Sequence, residues 1–332
     1  MTQIILSGIR ATGRLHIGSL LGAVRHFVDH QQEGNICMYF VADLHTLTTL
    51  KDPDELRKNL IEIVKDYLAA GLDPEQAIIY AQSSIPEIPE LSLLLSMIQP
   101  YGDLVRIPTF KEMARKYPDN LNFGIVTYPV LMAADILGPK ATLVPVGEDQ
   151  IPNVELARSL ARRFNDRFGE TLVQPEMLAE MVKIPGLDGN KMGKSDADNA
   201  IDINMSIPDI LERYLRKGIT DPQRLRKADP GDPYNRCRSV YPVHEVITEG
   251  EKKTREIANA CMSASISCVQ CKRRLVLESL APILEPFQAR RAELADKDDF
   301  VREVLHEGGM KARARIAETV SAVRDKMGII VY

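Results

Sequence analysis

Tryptophan is absent from these 332 residues and aromatic side chains make up only 5% of them, so the chain has no indole signal of its own. Neither sign of charge dominates, with 42 Lys and Arg against 46 Asp and Glu for a formal net charge of -4. At 45% hydrophobic and 27% charged the composition is globular, which excludes disordered, collagen-like and low-complexity chains. No apolar run approaches the ~20 residues of a bilayer span, so no membrane partner is expected. Met1 to Gly8 lacks the basic and long apolar regions of a signal peptide, and the cytoplasm is the expected compartment. Five cysteines in a chain this long exclude a small disulfide scaffold, and the length suggests about two domains on a ~150-residue prior.

The mild overall charge hides an uneven distribution. Between Arg213 and Arg274 there are 14 Lys and Arg against 7 Asp and Glu, while the remainder of the chain is acidic. Such asymmetry fits either a polyanionic partner touching one region or a solvated helical surface.

The first 150 residues alternate short apolar runs with amphipathic stretches, the pattern of a parallel α/β sheet wound on both faces. Strands are expected at Ile4–Leu6, Ile36–Ala42, Ala77–Tyr80 and Ala141–Val146. Helices are expected at 17–28, 53–70, 89–98 and around 129–137, the second opened by Asp52-Pro53 and closed by Gly71. From Ile151 the reading is helical: 155–168, 207–215, 251–262, 272–294 with a break near Pro282 and Pro286, and a final helix 309–327. A catalytic domain over 1–197 and a helical second domain over 198–295 follow, with 296–332 expected to pack back on the first.

Four stretches carry chemistry. Arg10-Ala-Thr-Gly-Arg-Leu-His16-Ile-Gly18-Ser19 joins the first strand to the first helix, where free backbone N–H groups favour a phosphate and His16 can donate to it as charge develops. The plain alternative is an ordinary βα turn with a surface histidine. Lys191-Met192-Gly193-Lys194-Ser195 sets two lysines three apart in a glycine-bearing loop, suited to closing over a polyphosphate. Asp135 stands alone among apolar residues in Thr127-Tyr128-Pro-Val-Leu-Met132-Ala-Ala-Asp135, and a buried carboxylate demands a partner, either a salt bridge or a ligand N–H. Val144-Pro-Val146-Gly147-Glu148-Asp149-Gln150 ends the last strand at its carboxyl edge, where carboxylates suit ribose hydroxyls.

An HIGx turn followed about 175 residues later by a KMxKS loop resembles class I aminoacyl-tRNA synthetases. With TYPVLMAADIL, VPVGEDQ, Val41-Ala-Asp-Leu-His45 and the Glu307-Gly-Gly-Met-Lys311-Ala-Arg313 run, the whole chain is similar to the bacterial tryptophanyl-tRNA synthetase family. The resemblance implies a homodimer that activates L-tryptophan with ATP and transfers it to tRNA(Trp). By motif it assigns ATP to Arg10, Ala11, Thr12, Gly18, Ser19, Gly147, Glu148, Asp149, Ile184 and the loop Lys191, Met192, Gly193, Lys194 and Ser195. It gives catalysis to His16, Lys111, Lys191, Lys194 and Ser195, with Mg²⁺ and the lysines on the pyrophosphate. Asp135 would read the indole N–H, Tyr128 and Gln150 the polar end of the amino acid, and Leu6, Met132, Val144 and Val146 would wall the ring with His45 nearby. Ser19 replaces the second His of HIGH and Gly193 the middle Ser of KMSKS, which lowers the expected rate.

Three rivals compete: a tyrosyl-tRNA synthetase, whose phenol fits the apolar wall less well; an HxGH-type adenylyltransferase, against which the KMGKS loop and the basic segment argue; and a regulatory paralogue that charges no tRNA.

Cys237, Cys261, Cys268 and Cys271, separated by 23, six and two residues, form a four-thiolate set that by spacing suits zinc or a [4Fe–4S] cluster. Here the resemblance is to the subset of tryptophanyl-tRNA synthetases that carry a cluster near the docked anticodon. Arg236, Arg238, Lys272, Arg273 and Arg274 flank these cysteines and suit phosphate contacts. Cys37, between Ile36 and Met38, reads as a buried small hydrophobe.

Overall fold

The computed structural model describes residues 2–178, 182–192, 196, 198–248 and 250–330. Its residue contacts group into two compact units, one of Met1–Gly13, Phe27–Met181 and Lys297–Tyr332, the other of Arg14–His26 and Val182–Asp296. This grouping puts the helix-opening turn 14–26 and the stretch 182–197 with the helical residues, where a cut at 197/198 was expected.

The first unit is built on a five-stranded, wholly parallel sheet, the α/β class expected. Strands β1 (Ile4–Ile9), β2 (Ile36–Val41), β3 (Ala77–Ala81), β4 (Leu143–Pro145) and β5 (Glu176–Leu178) lie in the order β3-β2-β1-β4-β5. The interior strand β2, Ile-Cys-Met-Tyr-Phe-Val, is buried nearly throughout, as a parallel strand covered on both faces must be. Cys37 is buried there at 1% exposure. The order reverses at β1, leaving between β1 and β4 the crevice where such sheets bind ligands.

Helix 53–70 forms as its signals dictate: Asp52 accepts from the backbone N–H groups of Asp54 and Glu55, Pro53 opens the first turn, and Gly71 closes it in the left-handed region. The helix Phe123–Leu137 is capped by Asn122 and presents Tyr128, Met132 and Asp135. Its apolar face joins a core that also takes in Leu6, Met38, Tyr80, Val144, Val146, Ala312 and Ile316. The last helix begins at Asp298, not at Gly309, and runs to Met327. Gly308 lies so close over β3 that a Cβ would overlap the Ile79 carbonyl oxygen; the glycines are a crossing point inside the helix. Lys65 reaches Asp298 at 2.5 Å from the other side.

The second unit is helical. Ile17–Ser19 continues into a π-helical turn at Leu20–Val24, where the Arg25 N–H bonds the Leu20 carbonyl. Gly22 sits within that wide turn because a Cβ there would overlap the Val182 carbonyl oxygen. Further on come Ile207–Lys217, Tyr241–Ile247, Glu251–Met262 and Cys268–Arg274, the last opened by a reciprocal Ser267/Gln270 cap. The expected break at Pro282 takes the form of a π-helical stretch, Leu275–Leu280, in which Ala281 donates to Val276, before Ala281–Glu293 resumes. No helix among the described residues is long and apolar enough to cross a membrane.

Candidate active site

At the carboxyl ends of the first unit's strands, Asp135 is 2% exposed and fully engaged. His45 Nε2 lies 3.0 Å from its Oδ2, and the Gln82 amide donates to Oδ1 at 2.9 Å and Oδ2 at 2.8 Å. Gln82 in turn accepts from the His45 backbone N–H at 3.3 Å. Burial raises the Asp135 pKa, and the His45 hydrogen bond and charge oppose that rise. The result is a fixed acceptor at the bottom of an apolar surround, which selects for a ligand that can donate.

A second chain of polar groups links Tyr128 of this helix to neighbouring elements. The His45 ring packs edge-on against Tyr128, with centroids 6.2 Å apart. Burial raises the Tyr128 pKa, and side-chain hydrogen bonds with Thr109 and Asn153 counter it. Thr109 donates to Asn153 Oδ1 at 3.1 Å, Asn153 to Gln150 Oε1 at 2.9 Å, and Gln150 to Asp149 Oδ2 at 3.0 Å. Leu6, Val144 and Val146 are buried and Met132 is half-buried. The loop after β1 is pinned as well: the Ala11 N–H donates to Thr46 Oγ1 at 2.8 Å, and Asn59 donates to the Ala11 carbonyl at 3.0 Å.

All eight residues assigned to an aromatic ligand therefore belong to this unit, and hydrogen bonds or ring contact tie His45 to Asp135 and to Tyr128. Arg10, Ala11, Thr12, Gly147, Glu148 and Asp149 lie in the same unit, as does Lys111, exposed on the helix Pro108–Lys116. The second unit holds the other nucleotide candidates. There His16 Nδ1 accepts from the Ser19 N–H at 3.1 Å, and Ser19 Oγ lies 3.2 Å from His16 Nε2. A Cβ on Gly18 would lie 3.0 Å from His16 Nδ1 and 3.6 Å from the Ile184 side chain, so a side chain there would crowd the His16 ring. Lys191 bridges to Pro185 and Met192 is buried. Gly193, Lys194 and Ser195 lie outside the described residues.

Sequence reasoning missed Gln82, Thr109 and Asn153. Gln82 follows directly on β3, so the rule that polar residues at strand carboxyl ends face ligands would have found it had β3 been extended to Ala81.

In the second unit the four cysteines line one small pocket, about 20 Å³ in volume, together with Asp221, Arg224 and Tyr241. All are free thiols. Burial, then the other three sulfurs, pushes the Cys271 pKa up to about 12; burial also raises those of Cys237 and Cys261. Arg224 Nη1 approaches Cys261 Sγ at 3.7 Å, the Tyr241 N–H donates to Cys237 Sγ at 3.4 Å, and a Cβ on Gly231 would stand 2.6 Å from Cys261 Sγ. Among the described residues no group of three or more His, Cys, Asp or Glu side chains is placed to hold a single metal ion.

A buried acceptor and a polar relay past the carboxyl ends of parallel strands are the parts of an α/β ligand-binding enzyme. The family model described as tRNA synthetases class I (W and Y) matches residues 2–281. Tryptophan–tRNA ligase of Thermotoga maritima is 43% identical over 98% of this chain and 99% of its own length, and that of Deinococcus radiodurans 38% identical over 98% of each. The solved tryptophanyl-tRNA synthetase of Campylobacter jejuni, complexed with ADP and tryptophan, superposes with a TM-score of 0.82 at 30% identity, covering 98% of this chain and 99% of that one. The chain belongs to the class I tRNA synthetase family of tryptophan and tyrosine enzymes.

Proposed function

We propose that this chain is a tryptophan–tRNA ligase, which joins L-tryptophan to ATP as tryptophanyl-adenylate and then transfers tryptophan to tRNA(Trp). The observation that carries it is the Asp135 acceptor, held by His45 and Gln82 on a helix whose apolar residues share one core with Leu6, Val144 and Val146. An indole offers one N–H on an apolar ring and matches that surround. Tyr128 and Gln150 take the polar end of the amino acid, with Met132 along the ring.

In activation a tryptophan carboxylate oxygen attacks the α-phosphorus, the bond to the bridging oxygen breaks, and pyrophosphate leaves with the electron pair. No protein nucleophile is needed. His16, Lys111, Lys191, Lys194 and Ser195 are assigned to the phosphates, Ile184 to the base, and Gly147, Glu148 and Asp149 to the ribose. Ala11, Thr12, Gly18, Ser19, Met192 and Gly193 line the nucleotide through backbone and short side chains. Bound Mg²⁺ neutralises phosphate charge. The His16 ring, whose Nδ1 accepts the Ser19 N–H, donates from Nε2.

Residues 198–295 are proposed as the tRNA anticodon-binding part and 1–197 with 296–332 as the catalytic part. Leu225 (85% exposed), Tyr234 (55%) and Val269 (53%) sit in the basic segment, and exposed apolar groups among cations suit unstacked bases. Cys237, Cys261, Cys268 and Cys271 are proposed to hold a [4Fe–4S] cluster, with zinc as the alternative. What supports this is the donor chemistry, four free sulfurs lining one pocket with Gly231 beside Cys261, although their spacing in this structure does not gather three of them around a single ion. Such a group ties the Cys261 and Cys268–Cys271 segments together and neutralises thiolate charge. A homodimer is proposed from exposed Leu93, Met97, Tyr101 and Phe123, and a cytoplasmic location accompanies it.

The test is ATP–pyrophosphate exchange with tryptophan or tyrosine as the amino acid. Exchange that depends on tryptophan and is lost in Lys194→Ala, with tryptophan binding retained, is the expected result. Tyrosine-dependent exchange, or none, overturns the assignment.

A further inference from the structure

Arg10 is a cation without an anion. It leaves the carboxyl end of β1, beside the crevice between β1 and β4, and its Nη2 donates to Thr49 Oγ1 at 2.6 Å and Thr48 Oγ1 at 3.3 Å. Both acceptors are neutral. Its Nε is buried and has no acceptor. Among the described residues no carboxylate lies at ion-pair distance from it, and the ionisable groups acting on it are the phenols Tyr117 and Tyr128. Other cations of the same unit are paired: Lys65 with Asp298, Arg163 with Asp103, Arg313 with Glu87, Arg324 with Glu90. A half-buried guanidinium held in place by hydroxyls, with its charge unanswered, is arranged for an incoming carboxylate or phosphate.

The neighbours decide which. Asp135 bonds His45, His45 packs on Tyr128, and Tyr128 lies within electrostatic reach of Arg10, so one row of side chains runs from the indole acceptor to this cation. A tryptophan whose N–H is held at Asp135 carries its carboxylate at its other end. We propose that Arg10, which the family resemblance assigns to ATP, instead binds the α-carboxylate of the substrate amino acid, fixing one oxygen so that the other faces the α-phosphorus, with Thr48 and Thr49 positioning the guanidinium. This rests on the reading of the Asp135 pocket as the tryptophan site.

The test uses the chain's lack of tryptophan, which leaves ligand fluorescence without protein background. Tryptophan and tryptamine, its analogue without the carboxylate, are titrated without ATP into wild type, Arg10→Gln and Arg10→Lys. Wild type is expected to prefer tryptophan; Arg10→Gln should lose about 10- to 100-fold in tryptophan affinity with tryptamine unchanged, and Arg10→Lys should fall between. The KM for ATP should stay within about threefold. If Arg10→Gln keeps the preference while its KM for ATP rises, the anion is a phosphate and the proposal falls. Equal weakening of both ligands makes Arg10 merely structural and also overturns it. Wild type that binds neither ligand overturns the pocket reading itself. Should Arg10→Gln fail to fold, the Arg10→Lys comparison decides by the same criteria.

Discussion

Asp135 and Cys271 are both buried acids, one met by donors and the other ringed by its own kind. Around Asp135, His45 and Gln82 supply hydrogen bonds from fixed positions, the His45 ring packs on Tyr128, and from there Asn153 and Gln150 continue in hydrogen bonds. Around Cys271 stand three more sulfurs, each of which makes the next harder to ionise. The first pocket is complete as it folds and can select a small neutral donor by geometry. The second is held against ionisation, and the proposed metal group would lower that cost by sharing the pocket with the four sulfurs.

That contrast is open to breakage. The largest effect is expected from Asp135→Ala, which leaves His45 and Gln82 facing an apolar void. Tryptophan activation, read as kcat/KM in pyrophosphate exchange, should fall about 100-fold or more, whereas Cys261→Ser should leave it within about twofold. Next, Cys261→Ser should lose bound iron or zinc, and Gly231→Ala, which crowds the same sulfur, should weaken metal retention about tenfold against a chelator. Aminoacylation of tRNA should fall in both while adenylate formation persists.

A smaller effect concerns pH. Burial raises the Asp135 carboxyl above its unfolded value of 3.8, so the folded chain holds a proton that the unfolded chain has already released. The stability this group contributes is full below 3.8 and is lost as pH rises through the raised value. Asp135→Asn removes that dependence: denaturant unfolding from pH 3.5 to 7 should show a shallower decline than wild type, and the variant should discriminate less between tryptophan and other aromatics. The smallest change is Thr109→Val, which removes one neutral link to Asn153 and should raise the KM for tryptophan about threefold.

Much of the fold was legible where local signals stand alone. Asp52-Pro53 and Gly71 mark a helix on both ends, and Asp135 is conspicuous as one acid in an apolar run. What escaped depends on distant partners. The last helix was expected to begin at Gly309, yet it runs from Asp298 through Gly308 and Gly309, where the small residues let it pass close to β3. The π-helical turn at Leu20–Val24 answers to the Val182 backbone, more than 150 residues away in sequence. β5 is three residues long and not fully buried, so no periodicity betrays it. In the site, the lone acid could be found from sequence but not its holder: Gln82 matters only because β3 delivers it to Asp135.

The most direct test takes one preparation and divides it. Iron, sulfide and zinc are assayed, half is stripped of metal, and tryptophan-dependent pyrophosphate exchange and tRNA(Trp) charging are measured on both halves. Exchange equal in the two halves, with charging reduced in the stripped one, is the outcome this account requires. Exchange that falls with the metal would mean that the cysteine pocket takes part in activation, and the division of labour between the two pockets would be wrong.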